Sequence, residues 1–364
     1  MATSSYVDLS KAQLSAVYKS TESILLRLTD YQVLKDKNAQ LSATELMSLA
    51  SSVRTILRKD ETCTRISIRE MNHNLIVIGD IHAHYGYLLR IFYLNGFPPY
   101  RKYVLLGNFI NRGARNLETL ALLFCLKIRF PAHIYILRGV HECQKMAKEY
   151  GFLDECMKRF SNKLFDSMVS VFEFLPICAF VDDKVFLVHG GISPNFIHSN
   201  ISKLADLVTY INTNIVRPVR TLDNRLALQM LWAEPTVNPV AWEPMISNER
   251  TLMFGASQVE EFTEKYNLDL VIRSSEYLFG GYEFFAKRKL LTIFSIPGYL
   301  ENYKNVGAIV KIKDGIGSSK GIDIIQIKGV GLKRKPTSKM NINQELVKNP
   351  SIELDRVILK GDSK

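Results

Sequence analysis

Four apolar runs, each four residues long and rich in β-branched or aromatic side chains, constrain this chain more than any other feature. They are Leu75-Ile76-Val77-Ile78, Tyr103-Val104-Leu105-Leu106, Ile134-Tyr135-Ile136-Leu137 and Val185-Phe186-Leu187-Val188. Runs this short and this apolar read as strands buried on both faces. Each breaks at once into a polar segment: Gly79-Asp80-Ile81-His82, Gly107-Asn108, Arg138-Gly139-Val140-His141 and His189-Gly190-Gly191. Helical spacing fills the gaps between the first three, with Leu88, Leu89, Ile91 and Phe92 in one and residues 117–126 in the next. Strand, polar loop, helix, repeated, predicts an α/β layout with a site at the carboxyl ends of the strands.

Outside that core the pattern changes. Helical periodicity covers residues from about 8 to 60, and Ser42 followed by Glu45 predicts a helix start with a capping box. Residues 322–327 alternate like a last strand, and from Gly329 onward the periodicity fades, which predicts a disordered tail. No apolar run approaches the ~20 residues of a membrane helix, so no membrane association is expected. The five cysteines form no C-x-x-C pair and read as reduced thiols, an expectation of a cytoplasmic or nuclear protein.

The net charge is +11, and residues 311–364 alone hold +6 of it. That excess is either a solvated tail or a surface for an acidic partner. No basic-aromatic stacking run accompanies it, so nucleic-acid binding is only weakly supported.

The polar loops carry the chemistry. Asp80 and His82, two apart after a strand, offer oxygen and nitrogen to a first-row metal, and His189 is a third candidate. His141 and Glu142 close another strand, and Arg112 and Arg250 can each bind a phosphate bidentately.

Those loops, taken in order, resemble the signature set of the metal-dependent serine/threonine phosphoprotein phosphatases, and within it the type-1 catalytic subunit. The matching stretches include Gly79-Asp80-Ile81-His82, residues 107–113, Leu137-Arg138-Gly139-Val140-His141-Glu142, Val188-His189-Gly190-Gly191, residues 150–156, Gly281-Tyr282-Glu283-Phe284-Phe285 and Phe294-Ser295-Ile296-Pro297. The resemblance implies the calcineurin-like metallophosphoesterase fold, a four-layer α/β sandwich of two mixed sheets flanked by helices. It covers residues 22–328, leaving an extension at 1–21 and the basic tail at 329–364.

The resemblance also implies a dinuclear metal centre, of Mn²⁺ or of Fe and Zn, that activates water for attack on phosphorus. Its ligand positions fall on Asp80, His82, Asn108 and His189, with Val140 and Ser275 where an asparagine and a histidine are needed. Asn108 stands where an aspartate bridges the two cations. Unit charges 4 Å apart at an effective dielectric of 20 interact by roughly 4 kcal/mol, so losing that carboxylate is costly to a cation pair. At most one ion is expected to bind. His141 matches the general acid, and Asn111 replaces the aspartate that orients it. Arg112, Arg250 and Tyr299 match the phosphate-binding groups. Glu276, next to the missing histidine, and His84, where the family usually has glutamine, are the candidate substitute ligands.

Remote from this site, the type-1 family takes up Arg-Val-x-Phe segments of regulatory subunits in an apolar groove. Its positions fall on Val185, Leu270, Phe284, Arg288 and Leu291, with Asp182 and Asp269 as the flanking carboxylates. The expected function is a catalytically impaired pseudophosphatase that binds phosphoproteins or phosphatase regulators. The alternative is an active Mn-dependent enzyme hydrolysing phosphoserine and phosphothreonine in proteins.

Overall fold

The apolar runs do form strands, shifted by a residue at most. The computed structural model describes residues 11–30, 38–68, 74–220, 224–238, 242–245, 248–299, 304–313 and 321–329. Strands β2 (Leu75–Ile78), β3 (Lys102–Leu105) and β4 (Ile134–Ile136) lie parallel in a five-stranded sheet. Two later strands, β13 (Gly307–Ile312) and β14 (Ile322–Ile327), extend it antiparallel, giving the order β14-β13-β2-β3-β4. A six-stranded mixed sheet runs β1-β5-β6-β10-β12-β11. Its strands are β1 (Cys63–Ile66), β5 (Cys178–Val181), β6 (Val185–Val188), β10 (Leu270–Arg273), β11 (Tyr282–Phe285) and β12 (Leu290–Ile293). A small third sheet is built from β7 (Glu234–Pro235), β8 (Trp242–Met245) and β9 (Asn248–Phe254).

Because successive strand residues face opposite sides, each sheet buries two apolar faces. Leu75, Val77, Val104, Val310 and Ile312 of one sheet meet Val185, Leu187, Ile272, Leu291 and Ile293 of the other in a cluster between them. The alternate residues Ile76, Ile78, Tyr103 and Leu105 pack under helices α1 (Lys11–Leu28), α2 (Ala43–Leu57), α3 (Tyr85–Asn95), α4 (Asn116–Arg129), α6 (Phe152–Arg159) and α7 (Asn162–Phe172). On the far side Phe180, Phe186, Val188 and Val271 pack under α9 (Leu204–Asn214), α10 (Arg225–Trp232) and α11 (Ala256–Lys265). Three clusters between four layers make this the expected α/β sandwich. Two short helices, α5 (Gln144–Glu149) and α8 (Pro194–His198), complete the set.

Local signals agree with the layers. Ser42 caps α2, its side chain accepting from the Glu45 N–H while the Glu45 carboxylate accepts from the Ser42 N–H. Helix α1 runs through residue 21 and buries Ile24 and Leu28 against the main cluster. Residues 1–10 and the tail from 330 lie outside the described residues. No described helix is long and apolar enough to cross a membrane.

Candidate functional site

The site forms where the two sheets meet. Asp80, two residues past the end of β2, makes a parallel bridge to Phe294 just after β12 and so ties one sheet to the other. The loops after β2 and β3 interlock: Ile81 and His82 donate their N–H groups to Asn108 O, and Ala83 donates to Phe109 O. Gly107 and Gly139 approach so closely that a Cβ on Gly107 would sit 2.4 Å from Gly139, and one on Gly139 would sit 2.6 Å from the Asn108 side-chain oxygen. Only glycine fits there.

Backbone strain concentrates at this place. His82, Ala83, Asn108, Asn111, Arg112 and Ser275 all have φ between 45° and 78°, six of the twelve non-glycine residues with positive φ among those described. Such conformations persist only where surrounding structure enforces them, and they gather at functional sites.

Asp80 is almost fully buried and both of its oxygens are engaged. Oδ1 accepts from Ser274 Oγ at 2.5 Å and from the Ser275 N–H at 3.2 Å. Oδ2 accepts from Asn108 Nδ2 at 2.8 Å and lies 3.1 Å from His82 Nε2. Burial alone would raise this carboxyl, but the contacts with His82, His189 and Ser274 outweigh it and hold the group below the usual carboxylate range. His82 Nδ1 lies 3.3 Å from Ile110 O. His189 donates from Nδ1 to Leu106 O at 3.0 Å, which leaves its Nε2 buried with no partner. Burial draws the His189 pKa down to about 4, so the ring is neutral.

His141 stands beside His82, ring centroids 4.8 Å apart, and 5.4 Å from the ring of Tyr150. Burial, with His82 next to it, draws its pKa down to about 3. Asn111 is fully buried with Nδ2 2.8 Å from His141 Nδ1. Arg112 is exposed and lies over the Tyr150 ring at 4.2 Å. Tyr299 covers His82 and Phe294 at 5.2 and 5.1 Å between centroids, and burial pushes its hydroxyl up to about 12. The structure therefore brings together Asp80, His82, Asn108, Asn111, His141, His189 and Tyr299, with Arg112 at the edge. Arg250 belongs to β9, but its side chain lies outside the described residues.

Two expected substitutes do not join them. Glu276 is held by Arg273, and His84 Nδ1 turns back to His82 O at 2.8 Å. Val140 packs into the apolar cluster on the helical side of the six-stranded sheet.

Three further residues do much of the positioning; of these the sequence singles out Glu142, without its role, and misses Ser274 and Glu155. The buried Glu142 carboxylate accepts from the N–H groups of Asn108 and Phe109 at 2.8 Å and of Gly139 at 3.0 Å, locking two site loops together. Ser274 joins Asp80 to Ile293 O. Glu155 accepts from Asn116 N and Nδ2 at 2.8 Å, and Asn116 Oδ1 accepts from the Asn111 N–H at 2.5 Å. Most of these bonds join residues 30 or more apart in sequence, which no local spacing reveals.

A family model for calcineurin-like phosphoesterases matches residues 73–274, more than half of the chain and all of the site loops up to Ser274. The chain belongs to that family. A solved protein serine/threonine phosphatase from Saccharomyces cerevisiae, described as similar to human phosphatase PP5, superposes on this phosphoesterase with a TM-score of 0.75. The two are 25% identical over 85% of this chain and 96% of that one. A cold-active protein-tyrosine phosphatase from a psychrophilic Shewanella species gives a TM-score of 0.50 at 14% identity, over 71% of this chain and 79% of that one, a likeness of fold alone.

Calcineurin-like phosphoesterases normally use divalent metals. The orphaned His189 Nε2 and the Asp80–His82 pair are donors of the right kind. Yet both Asp80 oxygens already accept hydrogen bonds, and Asn108 turns its NH₂ toward Asp80. Among the described residues no group of three or more His, Cys, Asp or Glu side chains converges on one point. The donor set does not fit a cation pair.

The groove positions lie in the sandwich. Val185, Leu270 and Leu291 are buried between the two sheets, and Phe284 sits at that cluster's edge with the Arg288 guanidinium 3.8 Å above its ring. Asp182 Oδ1 accepts from the Ile68 N–H, and Asp269 Oδ2 is buried without a partner.

Proposed function

We propose that this chain is a type-1-like serine/threonine phosphatase homologue with little or no hydrolytic power. It binds phosphoproteins, or phosphatase regulators that carry an Arg-Val-x-Phe segment. The observation that carries the reading is the closed hydrogen-bond shell around Asp80, in which the Asn108 amide supplies a proton where a bridging carboxylate would share a cation. A metal pair in such a fold clamps the phosphoryl group and deprotonates the attacking water. Without it, what remains is recognition: Arg112 and His141 present N–H groups, and Tyr299 walls one side. All five cysteines are free and buried, in keeping with a reducing compartment such as cytoplasm or nucleus.

The unpartnered Nε2 of His189 and the closeness of His82 to Asp80 favour a second reading, a Mn-dependent phosphatase. Metal content by mass spectrometry, together with turnover of p-nitrophenyl phosphate under Mn²⁺, separates the two. A pseudophosphatase carries at most one ion per chain and turns over at background. Two ions, with activity abolished by His141→Ala, would establish the enzyme instead.

A further inference from the structure

The orientation of one amide settles the chemistry of its neighbour. Asn111 Oδ1 accepts from the backbone N–H of Phe152 at 3.1 Å, and Asn111 Nδ2 lies 2.8 Å from Met146 O. A backbone N–H only donates and a carbonyl only accepts, so both contacts dictate the same rotamer of the amide. The NH₂ therefore faces His141 Nδ1, 2.8 Å away. An amide NH₂ has no lone pair to offer, so Nδ1 must present its own lone pair, and the neutral ring carries its proton on Nε2. A carboxylate at position 111 would demand the opposite, a proton on Nδ1.

We infer that Asn111 is a positioning residue that fixes His141 in the Nε2–H form, making this imidazole a standing hydrogen-bond donor for an oxyanion in the pocket. The device is rigid. Asn111 is fully buried, its own N–H is held by Asn116, and Asn116 is held by Glu155 at the start of α6. Phe152 is the first residue of that helix, so the Asn111 oxygen also satisfies an otherwise unpaired N–H of its first turn. None of the described residues bonds His141 Nε2, and the His141 ring and the Arg112 guanidinium both pack against Tyr150, at 5.4 and 4.2 Å. Two donors without lone pairs favour an oxyanion over a cation, and a phosphoryl group is the oxyanion that the proposed function supplies. The oxyanion rests on the binding function proposed above, whereas the tautomer does not.

The test uses the full chain, ¹⁵N-labelled at histidine, in EDTA at neutral pH, with the His141 signals assigned by their loss in His141→Ala. Expected are a protonated Nε2 and an unprotonated Nδ1. Adding inorganic phosphate shifts the Nε2–H signal, and His141→Ala weakens phosphate binding by ~10-fold, the value of one hydrogen bond to a charged acceptor. Asn111→Asp moves the proton to Nδ1; if that variant does not fold, the wild-type spectrum decides alone. A wild-type ring protonated on Nδ1, or averaged between the two forms, overturns the inference. Phosphate that fails to bind a chain showing the Nε2–H form overturns the donor role and the proposed oxyanion site, while leaving the tautomer assignment supported.

Discussion

The side-chain nitrogen of Asn108 lies 2.8 Å from Asp80 Oδ2, while its side-chain oxygen accepts from the His141 N–H at 3.0 Å. That N–H can only donate, so the amide cannot be turned round. A neutral donor thus satisfies the carboxylate without any charge of its own.

Asn108→Asp tests this directly. Two carboxylates in hydrogen-bond range, one robbed of its donor, should destabilise the chain in EDTA by about 2–4 kcal/mol in urea unfolding. Mn²⁺ should restore most of that loss in the variant and do little to the wild type. Equal stability of variant and wild type in EDTA would contradict the role given to the amide. Adding Asn111→Asp, Val140→Asn and Ser275→His should raise metal uptake and turnover well above the native chain; no gain in either would place the defect elsewhere.

Glu142 holds the Asn108 and His141 loops through four backbone N–H groups, Oε1 accepting from Phe109 and Ile110 and Oε2 from Asn108 and Gly139. In Glu142→Gln an NH₂ must face N–H donors on one side or the other. Leaving buried donors opposed should cost about 2–4 kcal/mol with an unchanged denaturant slope. A loss under about 1 kcal/mol would show that the loops hold together without this anchor.

Which of these features the sequence could disclose follows from the range of the interactions. Strands β2, β3, β4 and β6, the Ser42 cap and β14 rest on local pattern, and they are legible. Strand β1 has the mixed sequence Cys-Thr-Arg-Ile, and β8 contains Pro244, so neither shows an apolar run. The pairing of β13 with β2 joins residues more than 200 apart, which no local period encodes. At the site, Asp80, His82, His141 and His189 stand out because strand-end polar residues are exceptional in apolar surroundings. Glu142 stands out beside His141, but its anchoring role does not, and Ser274 looks ordinary in sequence, because both act on groups that the fold brings from other loops.

Acid should unfold this chain through its buried imidazoles. Burial holds His141 near pKa 3 and His189 near 4, against about 6.5 when unfolded. The unfolded chain takes up these protons first, so their contribution is complete above about pH 6.5 and is lost as pH falls toward 4 and 3. On the order of 3 kcal/mol is at stake at each ring. His189→Asn keeps an N–H for Leu106 O but cannot titrate, so it should flatten stability between pH 4 and 6.5 by about one proton's slope. An unchanged slope would mean that His189 is not buried and neutral as described.

Under the proposed peptide-binding function, Arg288 would bear on access to the groove. Its guanidinium lies 3.8 Å over Phe284, at the edge of the cluster between the sheets, so an incoming phenylalanine must displace a cation from an aromatic face. Such a contact contributes about 0.5–1 kcal/mol when exposed, which is a two- to fivefold penalty on binding. Arg288→Ala should therefore tighten binding of a synthetic Arg-Val-x-Phe peptide by about that factor, and Phe284→Ala should weaken it, both read by fluorescence anisotropy. Charge bears on the same surface: Asp269 Oδ2 is unpartnered, so Asp269→Asn should weaken a peptide with a basic start more than one without it. If neither Arg288→Ala nor Phe284→Ala changes affinity, the peptide sits elsewhere and Phe284 is a packing residue only.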